Sequence, residues 1–104
     1  MNNKLTGLLV PANGELRRIE VDNTLEALQK VVGGYIETCT ICTDAVAIIN
    51  EEGRLLGLPI NEHLRFFVGD ALIVGADGGD EFLSLTEKQI SDLKLMILGE
   101  RTSV

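Results

Sequence analysis

The sequence predicts an α+β domain: a mainly antiparallel sheet of about five to six strands with two main helices packed on it, in the order ββαββ-short helix-ββα. Two observations carry that expectation. Short runs rich in Leu, Ile, Val and Thr come in pairs joined by turn-forming residues, which is how hairpins are written in a sequence. Two other segments place apolar residues at three- and four-residue spacing, the period of a helix with one buried face.

The first run, residues 5–10, is apolar and closes at Pro11. Pro11-Ala12-Asn13-Gly14 is a turn signal, because proline presets φ and glycine accepts positive φ. In the return strand, residues 15–21, Ile19 and Val21 alternate with Arg18 and Glu20, while Leu16 falls out of phase. Leu25, Leu28, Val31 and Val32 then form one stripe of a helix of about nine residues. Asn23 or Asp22 is expected to cap its free amides, and Gly33-Gly34 to end it in the left-handed conformation. Residues 35–41 and 45–49, joined across Cys42-Thr43-Asp44, read as a second hairpin, with Asn50-Glu51-Glu52-Gly53 as the next turn.

Residues 54–60 are apolar but broken by Gly57 and Pro59, so they are expected to wrap the surface, and Asn61 to cap a short helical turn through Phe67. Ala71-Leu72-Ile73-Val74 is apolar at both parities and is expected at the centre of the sheet. After the loop Ala76-Asp77-Gly78-Gly79-Asp80, residues 81–85 read as a further strand. Thr86-Glu87-Lys88-Gln89 matches a capping box, in which Thr and Gln side chains each satisfy the other's backbone amide. Ile90, Leu93, Ile97 and Leu98 continue that helix to Gly99, and both main helices are expected to cover one face. Residues 1–104 read as one domain, with 100–104 as a flexible tail.

The bulk properties bound the function. A chain of 104 residues with 45% hydrophobic content buries roughly two-thirds of its unfolded surface and needs neither metal nor disulfide to fold. Its net charge of −7 disfavours direct binding to nucleic acid or an anionic membrane, where Lys and Arg must displace counterions. No apolar run approaches the ~20 residues of a membrane span. Met1-Asn2-Asn3-Lys4 lacks the charged and apolar regions of a signal peptide, so the expected compartment is the cytoplasm.

Motifs for chemistry are scarce. Cys39-Thr40-Ile41-Cys42 has C-x-x-C spacing, but it ends a strand instead of opening a helix, where a dipole would lower a thiol pKa. Zinc needs two more ligands, and His63 is the single histidine. No G-K-[ST] follows the glycines of residues 75–79, so they form no phosphate loop, and Asp77, Asp80 and Glu81 lack the EF-hand pattern. No catalytic residues, metal or cofactor are therefore expected, and the chain reads as a binding protein instead of an enzyme. The best binding candidate is the segment 50–70. There Asn50, Glu51, Glu52, Arg54, Asn61, His63 and Arg65 set amide, guanidinium, imidazole and carboxylate groups among glycines and a proline. Asn50, Glu51, Arg54, Asn61, His63 and Arg65 are the expected ligand-binding residues.

The linked runs Leu25-Glu26-Ala27-Leu28-Gln29-Lys30-Val31-Val32-Gly33-Gly34-Tyr35-Ile36-Glu37 and Asn50-Glu51-Glu52-Gly53-Arg54-Leu55-Leu56-Gly57-Leu58-Pro59-Ile60-Asn61 carry a resemblance. With Gly69-Asp70 and Phe82-Leu83-Ser84-Leu85-Thr86-Glu87-Lys88-Gln89-Ile90, they resemble domain of unknown function thirty-eight forty-six, a family of short proteins from phages and bacterial mobile elements. The resemblance spans nearly the whole chain, and Cys39 and Cys42 lie outside its pattern. It implies a setting more than a mechanism. The expectation drawn from it is counter-defence by sequestering a nucleotide immune signal, with Arg54, Arg65 and His63 as phosphate donors. A protein-binding inhibitor of a host defence protein and an acidic nucleic-acid mimic are the alternatives. A homo-oligomer would deepen a site that so short a chain makes shallow.

Overall fold

The computed structural model describes residues 3–102, with side chains as far as Gly99. Five strands and two helices follow in the order β1 (Lys4–Val10), β2 (Arg17–Asp22), α1 (Leu25–Val32), β3 (Ile36–Cys42), β4 (Ala45–Asn50), β5 (Ala71–Gly75) and α2 (Glu87–Thr102). The strands form one sheet in the order β2-β1-β5-β4-β3, and every neighbouring pair is antiparallel. An α+β fold with a mainly antiparallel sheet is therefore what the chain adopts.

β5 lies at the centre, as its unbroken apolar run requires. Ala71 and Ile73 project to one side with Leu8, Val10, Ala45 and Ala47, under Ile90, Leu93 and Ile97 of α2. Leu72 and Val74 project to the other with Leu5, Leu9 and Ile48, under Leu28 and Val32 of α1. The helices thus lie on opposite faces, which corrects the expectation that both cover one. A central strand with apolar residues at both parities exposes one row to water unless both faces are covered, and each large side chain fully buried contributes roughly 1.5–3 kcal/mol.

Two further expectations are corrected. Residues 81–85 are not a sixth strand: only Leu83 bridges Gly75. β1 and β5 pair over Leu8, Leu9 and Val10 alone. Beyond that point Leu85 N donates to Thr6 O at 2.9 Å, and Thr6 N donates to Ser84 Oγ at 2.9 Å. Residues 83–85 therefore bridge the splayed ends of two strands, sharing their bonds between both, and no regular ladder forms. Asn61 caps the segment as expected, its Oδ1 accepting the His63 and Leu64 amides, but residues 61–67 form bends and a single turn closed by Phe67 N on Leu64 O instead of a short helix.

The caps follow local chemistry. Thr24 caps α1, its Oγ1 accepting from Ala27 N at 3.2 Å. Asp22 and Asn23 do not fill this role. Asp22 is paired with Lys4 at 2.9 Å, and Asn23 N extends the β1–β2 ladder to Asn3 O at 2.7 Å. Gly33 ends α1 at φ 82°, a left-handed conformation that glycine adopts without a steric penalty. The capping box of α2 forms in full: Thr86 N donates to Gln89 Oε1 at 2.8 Å and Gln89 N to Thr86 Oγ1 at 3.1 Å. α2 runs to Thr102; the tail expectation concerns residues whose side chains, and in part whose backbone, lie outside those described.

Candidate functional site

The chain between β4 and β5, residues 51–70, is fastened to the sheet by two buried asparagines. Asn50, 4% exposed, donates from Nδ2 to the Val32 carbonyl at the end of α1 (3.1 Å) and accepts Glu52 N on Oδ1 (2.7 Å). Asn61, 0% exposed, donates from Nδ2 to Val10 O (2.9 Å) and Gly69 O (3.0 Å). Its Oδ1 accepts His63 N (2.9 Å) and Leu64 N (2.8 Å). Asp70 completes the anchorage, its Oδ1 accepting Ala12 N at 2.8 Å. Buried polar groups must be paired, and each asparagine amide is engaged by main-chain groups at both ends.

The six expected ligand-binding residues are therefore only partly brought together. Asn50, Glu51 and Arg54 border an open hollow of about 300 Å³, shared with Glu37, Glu52, Leu55 and Phe66. Asn61 lies beneath the loop, fully buried. His63 belongs to a different hollow, of about 410 Å³, lined by Glu15, Leu16, Lys94 and Leu98, where Nε2 lies 2.6 Å from the Gly14 carbonyl. Because that carbonyl can only accept, this contact requires the proton on Nε2. Arg65 is exposed and borders neither hollow.

What the polar residues leave uncovered is apolar. Leu55 and Phe66 are each 86% exposed, and Leu56, Ile60 and Tyr35 are also largely in water. Leu55 and Phe66 border the same hollow, with Glu37, Glu51 and Glu52 as its acidic members and Arg54 as its basic one. The signal was present in the sequence: four large apolar residues among residues 54–60, Leu55, Leu56, Leu58 and Ile60, lie in a segment too interrupted to be a strand and have no core position waiting for them. Among the described residues, no group of three or more His, Cys, Asp or Glu side chains is arranged to hold a metal ion.

A family model described as "Domain of unknown function (DUF3846)" matches residues 5–98. The chain belongs to this family. The match covers β1 through most of α2, so the fastened loop and both buried asparagines belong to the DUF3846 unit and are no appendage to it. No curated protein and no solved structure matches the chain. Among the described residues, no helix of this DUF3846 domain is long and apolar enough to cross a membrane.

Proposed function

We propose that the protein is a small, non-enzymatic binding module that grips a protein partner through the loop of residues 51–68. One observation carries the reading: Leu55 and Phe66, both 86% exposed, border a single hollow whose acidic members are Glu37, Glu51 and Glu52. A free chain gains nothing by holding large apolar side chains in water, whereas a partner surface that covers them gains roughly 25 cal/mol per Å² buried. The acidic residues and the net charge of −7 favour a partner segment that offers apolar anchors flanked by Lys or Arg. In the phage or mobile-element setting that the family resemblance implies, a cytoplasmic host defence protein is the partner class. Nucleotide sequestration draws less support from this geometry, because both asparagines are engaged by the main chain and Arg54 is, among the described residues, the hollow's single cation.

The test is capture from host lysate with wild type and with Leu55→Glu/Phe66→Glu, followed by calorimetry on the purified partner. Both side chains are exposed, so the variant should melt with wild type. Its affinity should fall by roughly 30-fold or more, the loss typical of an aromatic hot spot. Unchanged affinity would refute the docking surface. A nucleotide mass shift in native mass spectrometry, abolished by Arg54→Ala, would replace this reading with sequestration.

A further inference from the structure

The two edges of the sheet are built differently. β2 carries Arg17, Arg18, Glu20 and Asp22 among its six residues, and ion pairs hold Asp22 to Lys4 at 2.9 Å and Arg18 to Glu87 at 3.0 Å. Charges of this kind block strand addition. β3 reads Ile-Glu-Thr-Cys-Thr-Ile-Cys, with Glu37 as its one charge. Its residues Glu37, Thr38, Cys39 and Thr40 are all exposed, and its Thr and Ile content suits a paired strand.

The hydrogen-bond parity fixes which backbone groups of β3 face outward. Ala76 N donates to Asp44 O at 3.0 Å and Glu51 N to Tyr35 O at 2.8 Å. In the β3–β4 register, Glu37 lies opposite Ile49 and Cys39 opposite Ala47. Bonded pairs alternate along an antiparallel ladder, so Tyr35, Glu37 and Cys39 bond inward to β4. The N–H and C=O groups of Ile36, Thr38 and Thr40 point away from the sheet. Between Thr40 and Cys42 the register shifts, which ends the straight edge there.

We propose that this edge pairs antiparallel with β3 of a second copy, across a two-fold axis at Thr38, joining two five-stranded sheets into one. In that register Thr38 meets Thr38, and Ile36 of each copy meets Thr40 of the other. Every outward group of the straight edge is then used, giving about six backbone bonds at two per pair. The register is compatible in charge: Glu37 lies opposite Cys39 of the second copy, so no like charges oppose, and the central threonines form a favourable cross-strand pair. Centring the axis on Cys39 instead would set Ile36 against Cys42, beyond the register shift. A two-fold normal to the sheet places both α2 helices on one side. The pairing does not depend on what the loop of residues 51–68 binds.

Light scattering should give twice the 11.3 kDa chain mass at concentrations up to roughly 100 µM. Thr38→Pro removes an outward N–H that the monomer does not use and should give a monomer with unchanged circular dichroism. Glu20→Pro removes the equivalent outward group on β2, since Asn23 N bonds to Asn3 O and alternation then turns Glu20 outward; it should leave the dimer intact. If Thr38→Pro does not fold, the triple variant Thr38→Cys/Cys39→Ser/Cys42→Ser carries the test. A bonded pair has Cα atoms about 5.5 Å apart, within disulfide range, so mild oxidation should cross-link it quantitatively in buffer and not in denaturant. A monomeric wild type, a Thr38→Pro dimer of undiminished affinity, or a triple variant that fails to cross-link would each overturn the proposal.

Discussion

Replacing Asn61 with Ala should be among the most damaging single changes in this chain, although the residue lies in a segment without regular structure. The side chain makes four bonds to main-chain groups, two as donor and two as acceptor, at 2.8 to 3.0 Å, and it is 0% exposed. Truncation leaves the Val10 and Gly69 carbonyls and the His63 and Leu64 amides short of partners. A typical net bond contributes about 1 kcal/mol and an orphaned buried group costs about 1–3 kcal/mol. With some groups rescued by water, the expected loss is about 3–5 kcal/mol, a large part of the roughly 5–15 kcal/mol that holds a domain of this size. Urea unfolding followed by circular dichroism reads that loss directly, and the melting temperature should drop by roughly 15–25 °C. Asn61→Asp keeps the shape but turns an oxygen toward the two carbonyls. Burial and that repulsion raise the new carboxyl's pKa in the fold, so the folded state binds the extra proton and the deficit should shrink as pH falls from 7 toward 4. A loss below about 1 kcal/mol for Asn61→Ala would refute the claim that this amide fastens the loop to β1.

Two smaller perturbations test the sheet and the surface. Gly7→Ala puts a methyl 2.8 Å from the Ile73 carbonyl and 2.9 Å from Leu72 Cδ1, where the backbone of the central strand cannot yield, and should destabilise by about 1–3 kcal/mol in the same assay. A wild-type midpoint would show that the sheet relaxes there at no cost. The hydrogen bond and charge of Asp22 hold the exposed Lys4 ammonium above its ordinary 10.5. A raised folded pKa means that the contact contributes below the unfolded value and is lost as pH rises through the folded one. The small stability difference between wild type and Lys4→Gln should therefore be constant through neutral pH and narrow above 10.5; a difference that grows in alkali would reverse the assignment.

Much of the fold was legible because it is decided by neighbours in the chain. The capping box at Thr86 and Gln89, the glycine stop at Gly33 and the hairpin connection around Thr43-Asp44, in which Cys42 joins the strand and does not belong to the turn, each involve residues within four positions of one another. The binding segment was legible only as a region. Asn50 and Asn61 have the residue type of ligand donors, but nothing local reveals that their amides meet Val32 and Val10, 18 and 51 positions away. The pattern of residues 54–60 predicts only a surface wrap and that of residues 61–67 a short helical turn, so neither Leu55 nor Phe66 enters the expected binding set.

By itself the sequence located the five strands and two helices that form, the antiparallel character of the sheet and Ala71-Leu72-Ile73-Val74 at its middle, because side-chain period and turn chemistry act over a few residues. It also wrote a strand at residues 81–85 and a short helix at 61–67 that the fold does not contain. The tertiary structure decided the faces and the gaps. A helix with one apolar stripe packs equally well against either side of a sheet, and only the joint burial of Leu72 with α1 and Ile73 with α2 selects opposite sides. Likewise residues 81–85 have strand character, but β1 and β5 offer them only the splayed ends of two strands. Strand formation needs a partner edge, and the supply of edges is a property of the assembled sheet, which no single segment encodes.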